Sequence, residues 1–356
     1  MGEIRGTRLR GRLAALGLAA ALTVAGLVPA QSASAEVTPE LSEQEFVAEL
    51  SRYLSTKNGV YSVTVRELEG EQRTISLNGS RRVEPASTIK LFYAWAALQA
   101  VDRGTLSLSS RLASGKTVAN CLSVMIEVSD NPCAVDLRLK LGMRQLNALF
   151  ASEGYTGTSI VLDSKGRYVT KRTTTDDLAL LLSRLATGEL LSEAQTAQFT
   201  KRLLAQIWRH RISSGVPPGA VVGSKSGQLW VSSGMVEADT AIVYGPNGTY
   251  VLAAIGTHRA NVTAIRGIST YVYRYLQGPV AEKAVFPAKQ YVTKIDVYLR
   301  KSPAGTRITQ VRKGTAVQVL SSDRIWLRVK VGSRYGWLPY AHLALGTAYR
   351  WPAPPG

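Results

Sequence analysis

Apolar and polar positions follow different rhythms along the chain, and the order of those rhythms predicts its architecture. From Leu41 to Leu54, Phe46, Val47, Leu50 and Tyr53 recur at helical spacing, which puts one apolar stripe on an amphipathic helix. Val60–Val65 and Thr74–Leu77 alternate at period two on either side of a charged turn, predicting a hairpin. Ile89–Val101 is strongly apolar and stops at Gly104, the pattern of a buried helix. Two more helices are expected over 117–127 and 133–142, broken at Asp130-Asn131-Pro132, and others over Thr175–Ala186 and Ser192–Arg209. Strand character returns at Ala220–Gly223, Thr240–Tyr244 and Tyr250–Ile255. The last two are joined by Gly245-Pro246-Asn247-Gly248, a strong turn signal. A helix over Val262–Leu276 follows. An α/β domain in which one sheet is built from both ends, with a helical block inserted between them, explains this order most simply.

Both flanks of that domain differ in character. Residues 279–288 read as a linker, 289–346 as a small all-β module with runs at Asp296–Arg300, Ala316–Leu320, Trp326–Val331 and Gly336–Leu338, and 347–356 as a tail. At the other end, Arg5, Arg8, Arg10 and Arg12 precede an apolar run from Leu13 to about Ala30, and Ala33-Ser34-Ala35 follows. That order of basic, apolar and small residues predicts a signal peptide over 1–35, cut before Glu36, and a secreted protein. No cysteine follows the run and no adjacent arginine pair precedes it, so the general secretory route is expected, without a lipid anchor. No later stretch is apolar and long enough to suggest a transmembrane segment.

Charge sharpens the division. The formal net charge is +18, and removal of the leader leaves +15. Residues 288–356 hold twelve Lys or Arg against two Asp, so +10 of that excess sits in the last fifth of the chain. For an exported protein such a basic module points to anionic wall polymers or lipid headgroups, not nucleic acid. His210, His258 and His342 are scattered, and two cysteines are too few for a metal-binding cluster, so neither a metal nor another cofactor is expected.

Three short motifs carry the candidate chemistry. Ser87-Thr88-Ile89-Lys90 is S-x-x-K, Ser129-Asp130-Asn131 is S-D-N, and Lys225-Ser226-Gly227 is K-S-G. All three in order arise by chance in roughly one chain in a hundred of this length. Ser87 opens the apolar helix, where free N–H groups favour developing negative charge. Lys90 lies one turn on, within reach of the Ser87 hydroxyl. A serine needs a base to become a nucleophile, and a lysine serves only if burial or another cation, here Lys225, depresses its pKa. The backbone N–H groups of Ser87 and Gln228 are the expected oxyanion donors. No G-x-S-x-G elbow is present, which excludes the Ser-His-Asp hydrolases that use one.

On these motifs, residues 36–278 resemble the class A β-lactamase and penicillin-binding serine hydrolase family. Lys116-Thr117-Val118 leading to Met125-Ile126, and Thr173-Thr174-Thr175 before a Leu-rich helix, extend the likeness. The resemblance implies an α/β sandwich with a helical subdomain. It implies Ser87 as the acylated nucleophile, Lys90 as general base and Ser129 as proton relay to the leaving nitrogen. Asn131 would bind the substrate's side-chain amide, and Lys225 and Ser226 its carboxylate. The substrates implied are β-lactams or the stem peptide of peptidoglycan.

Two departures qualify the likeness. The family's Glu-x-x-Leu-Asn, whose Glu activates the deacylating water, is missing between Asn131 and Thr173, where Glu153 and Asp163 lack the right neighbours. The 42 residues from Ser87 to Ser129 are fewer than expected. Acylation is expected to be intact and fast deacylation is not, so a D-alanyl-D-alanine carboxypeptidase or penicillin-binding protein is the alternative to a β-lactamase. A non-catalytic wall-binding protein is a further one.

Cys121 and Cys133 flank the S-D-N turn, and a disulfide between them is expected in an oxidising compartment. In the tail module, Leu299–Pro303, Lys313-Gly314-Thr315, Trp326 and Gly336-Trp337 resemble a bacterial SH3-like barrel, a module that often attaches exported enzymes to the cell wall. Trp326 and Trp337 are expected in its core, and Tyr340 either there or in a binding patch.

Overall fold

The computed structural model describes residues 41–217, 220–280, 289–323, 326–339 and 342–345. The expected leader, most of the linker, the tail and Tyr340 lie outside them. Helix α1 (Glu43–Ser55) starts at Ser42, which forms a capping box with Glu45. Strands β1 (Val60–Glu67) and β2 (Thr74–Leu77) pair antiparallel. A 3-10 turn at Ala86–Ile89 leads into α2 (Lys90–Asp102). Next come α3 (Val118–Glu127), α4 (Asn131–Leu141) and α5 (Met143–Ser152), then a hairpin of β3 (Ser159–Leu162) and β4 (Tyr168–Arg172). Helices α6 (Thr175–Ala186) and α7 (Glu193–Leu204) complete the inserted block. Strands β5 (Val221–Val231), β6 (Gly234–Gly245) and β7 (Gly248–Thr257) and helix α8 (Val262–Gln277) follow.

The sheet runs β2-β1-β7-β6-β5, so both ends of the domain do build it. It is buried on both faces, and its side chains sort at period two. Val251, Ala253 and Ile255 of β7 join the cluster of the helical block. Tyr250, Leu252 and Ala254 join the cluster formed with Phe46 and Leu50 of α1 and Ile265, Ile268 and Val272 of α8. Helix α2 lies at the centre, with Lys90 to Leu98 buried in succession.

Several local expectations are corrected. Helix α4 begins at Asn131, because the Asp130 carboxylate caps it by accepting from the Cys133 N–H at 2.8 Å and Pro132 suits its first turn. Helix α7 ends at Leu204, five residues before Arg209. Strand β5 runs on through Lys225-Ser226-Gly227 to Val231, held along its length by β6.

The C-terminal region is all β, in the order β10-β9-β13-β12-β11-β8-β14, with β8 (Lys289–Thr293), β9 (Val297–Arg300), β10 (Arg307–Val311), β11 (Ala316–Asp323), β12 (Trp326–Val331), β13 (Arg334–Pro339) and β14 (Leu343–Leu345). Val297, Leu299, Val317, Val329 and Leu338 form its core. Trp326 and Trp337 are only half-buried and stand outside that core. Alternation explains this: Leu327, Val329 and Leu338 take the inward positions, leaving both tryptophans on the other face.

Candidate active site

The three motifs, distant in sequence, meet at the junction of α2, the α3–α4 turn and β5. Ser87 lies in the 3-10 turn ahead of α2. The residue before it, Ala86, has φ of 49°, and Ser129 has φ of 65°. Left-handed backbone at residues other than glycine is sparsely populated and collects where a fold holds a functional group in place.

Lys90 Nζ donates three hydrogen bonds, to Ser129 O at 2.7 Å, Ser129 Oγ at 3.2 Å and Asn131 Oδ1 at 2.7 Å. Lys225 Nζ donates to the same Ser129 Oγ at 2.9 Å and to Ser226 O at 2.6 Å. One hydroxyl oxygen is thus held between two amines, which leaves its own proton to be given elsewhere. Burial lowers the Lys90 pKa to about 7; the Asp130 carboxylate opposes that fall and the Lys171 cation adds to it. Lys171 thus adds a cation that the sequence did not single out, while Lys90 and Lys225, which share the Ser129 hydroxyl, repel one another. Lys225 is fully buried, and burial together with the charge of Lys90 holds it well below the usual lysine range.

Gly227 faces Ser87 from β5. A Cβ there would lie 2.7 Å from the Ser87 nitrogen and 3.1 Å from that of Thr88, so only glycine lets the strand pass this close to the nucleophile's backbone. The Gln228 side chain turns away, its Nε2 donating to Glu237 Oε1 at 2.8 Å. Glu237 is in turn paired with the buried Arg211 at 2.5 Å. Asn131 has its carbonyl oxygen committed to Lys90, so it helps to hold the base.

Several further residues surround the site without a local sequence signal. Val83 and Thr173 exchange backbone hydrogen bonds, which brings the β3–β4 hairpin beside the segment leading to Ser87. Across this junction Glu84 accepts from Lys171 Nζ at 2.5 Å, Thr170 Oγ1 at 2.9 Å and the Ala86 N–H at 3.2 Å. Asp239, pairing in register with Ser226, is fully buried, and burial raises its pKa to about 6. Local pattern carries no signal for such pairs, because their partners lie on separate elements.

Cys121 of α3 and Cys133 of α4 form a disulfide across the base of the S-D-N turn, 12 residues apart in sequence. Replacing both by serine is expected to destabilise the fold by about 3 kcal/mol in the chain-entropy model. Thermal unfolding of the two chains side by side checks this, and equal melting temperatures would contradict it.

Comparison with known proteins agrees with this geometry. Residues 45–276 match the model of the β-lactamase enzyme family. An ancestral class A β-lactamase is 24% identical, with a TM-score of 0.58, over 64% of this chain and 99% of its own. The class A β-lactamase of the last common ancestor of Gram-negative bacteria is 25% identical, with a TM-score of 0.56, over 64% of this chain and 97% of its own. The structure of PBP-A is 24% identical, with a TM-score of 0.58, over 64% of this chain and 94% of its own. No curated protein matches the chain. The chain belongs to the β-lactamase enzyme family and is a serine β-lactamase-like hydrolase.

Proposed function

We propose that this protein is an exported hydrolase that acylates Ser87 with β-lactams or acyl-D-alanyl wall peptides and releases the acyl group slowly. The observation that carries this reading is the sharing of Ser129 Oγ by Lys90 and Lys225 beside the Ser87 turn. In the proposed reaction the Ser87 oxygen attacks the amide carbonyl and its proton passes to the neutral amine of Lys90. The backbone N–H groups of Ser87 and Gln228 receive the oxyanion. Ser129 then gives its proton to the leaving nitrogen as the C–N bond breaks and is reprotonated from the adjacent lysine. Lys225 and Ser226 hold the substrate carboxylate.

Slow release is supported by the missing Glu-x-x-Leu-Asn and by the partners that engage three other carboxylates. Both oxygens of Glu84 are occupied by Lys171, Thr170 and the Ala86 N–H. Glu153 is paired with Arg184 and Asp163 with Arg167. Each of the three is engaged by a cation.

The leader at 1–35 and the Cys121–Cys133 bridge support export. The SH3-like reading of the C-terminal region rests on its short antiparallel strands and the motifs around Trp326 and Gly336-Trp337. Attachment to anionic wall polymer is supported by its excess of Lys and Arg and by rings that lie against cations, Tyr298 with Arg307 at 4.2 Å and Tyr335 with Lys330 at 5.7 Å.

A time course with a fluorescent penicillin, followed by intact mass, tests the reaction. The expected result is a stable adduct of one acyl group. A transient adduct with penicillin consumed would overturn slow release, and no adduct would overturn the enzymatic reading.

A further inference from the structure

The segment after α7 joins three parts of the molecule. Gln206 is fully buried, and its Nε2 lies 3.5 Å from Ser226 Oγ while its Oε1 accepts from the Trp208 N–H at 3.0 Å. The Ile207 N–H donates to Glu127 O at 3.0 Å, and Trp208 Nε1 donates to Val128 O at 3.3 Å. These are the carbonyls of the last residue of α3 and of the residue just before Ser129.

The side chain of Ile207 belongs to neither core of the hydrolase domain. It is buried in one cluster with Tyr291, Leu299, Val329 and Leu338 of the C-terminal sheet, and Val128 and Trp208 pack against that cluster. A continuous path of contacts therefore runs from the core of the C-terminal region, through Ile207 and Trp208, to the Val128 carbonyl. From there it reaches Ser129, whose carbonyl and hydroxyl hold the Lys90 amine. The φ of 65° at Ser129 is a conformation that persists only when its surroundings fix it, and this path supplies one side of them.

We propose that the C-terminal β region is a positioning element of the catalytic centre, acting through Ile207 and Trp208 on the turn that presents Ser129. Ile207 and Trp208 are positioning residues: neither touches Lys90, and their effect passes through the backbone of Val128. The inference rests on Ser129 acting as the proton relay proposed above. It goes beyond attachment to the wall, because an element that served only as a tether would leave the chemical step unchanged.

The test uses the full chain with Ile207→Asp, which breaks the apolar seat, and Ile207→Val, which preserves it. Trp208→Phe keeps a ring and removes the N–H aimed at Val128 O. The concentration dependence of penicillin adduct formation separates the acylation constant from the dissociation constant of the first complex. Ile207→Asp is expected to lower the acylation constant roughly tenfold to a hundredfold, since small displacements of a catalytic group carry such costs. Trp208→Phe is expected to lower it about threefold to tenfold, the worth of one hydrogen bond. The dissociation constant should change less than the acylation constant, because Lys225 lies on β5, anchored by β6. Ile207→Val should restore the wild-type constant.

An unchanged acylation constant in Ile207→Asp would overturn the proposal. If that variant fails to fold, Trp208→Phe decides in the same way. If the wild-type chain itself takes no acyl group, the proposed function fails and hydrogen exchange decides the positioning separately. The amides of Val128 and Asp130 both donate to Val124 O. Faster exchange of these two amides in the variant that folds supports the coupling, and equal rates overturn it.

Discussion

Lys90→Met is expected to slow acylation of Ser87 by about three to four orders of magnitude, the upper part of the range for a lost general base, while Ser87→Ala gives no adduct at all. In the resting site the three Lys90 protons have three acceptors, all on Ser129 and Asn131. An amine so held must first lose a proton before it can take one from Ser87. With its pKa lowered to about 7 by burial, the neutral form grows as pH rises through 7. The acylation constant should therefore increase with pH and level off above neutrality. Removing the lysine should abolish that rise along with the rate. Stability rises with pH as well. A lysine depressed in the fold but ordinary when unfolded makes the unfolded chain bind more protons between about pH 7 and 10, so wild-type stability rises with pH across that window. The isosteric methionine carries no such charge, and Lys90→Met should melt at or above the wild-type temperature at pH 7. Adduct formation followed by mass across pH 5.5 to 9 (a range centred on about 7), with melting curves alongside, reads both effects. A flat wild-type pH profile would remove Lys90 from the role of base.

What the sequence made legible depended on whether a signal was local. The sheet could be read because Val251, Ala253 and Ile255 alternate with Tyr250, Leu252 and Ala254, and each set fills a different core. The S-x-x-K, S-D-N and K-S-G motifs are legible as short local patterns, and the fold places them together. The β3–β4 hairpin was not visible, because Tyr168 and Val169 are exposed and the remaining β4 residues polar; no apolar period marks the strand. Strand β5 was cut short for a related reason. Lys225, Ser226 and Gly227 look like a turn, but pairing with Thr240, Asp239 and Ala238 of β6 makes them strand, an instance of tertiary pairing overriding local propensity. Apolar spacing extends helix α7 past its observed end at Leu204, because Ile207 and Trp208 suit that spacing. The structure uses Ile207 in a different core altogether.

Gly227→Ala tests the other wall of the site, and its expected effect is a loss of about a hundredfold to a thousandfold in acylation, the magnitude of removing one oxyanion donor. The added methyl carbon would meet the Ser87 nitrogen at 2.7 Å and the Ala86 Cβ at 3.0 Å. Neither neighbour is the far end of a flexible side chain, so the contact is relieved only if β5 and the 3-10 turn move apart. That movement separates the Gln228 N–H from the Ser87 N–H, and the proposed oxyanion donors then no longer converge on one point. Lys225 lies two residues back on β5 and contacts Ser129 from there, while the lysine base sits on α2. The methyl group touches neither amine, so the pH at which acylation levels off should stay near the wild-type value as the plateau falls. This combination separates a damaged oxyanion site from a damaged base, since Lys90→Met removes the pH dependence itself. Overpacking of this kind destabilises a fold by about 1–3 kcal/mol, so the melting temperature should drop without loss of the folded state at 25 °C (a temperature at which small domains keep about 5–15 kcal/mol of stability). Wild-type acylation in a folded Gly227→Ala chain would mean that the oxyanion is received elsewhere than between β5 and the Ser87 turn.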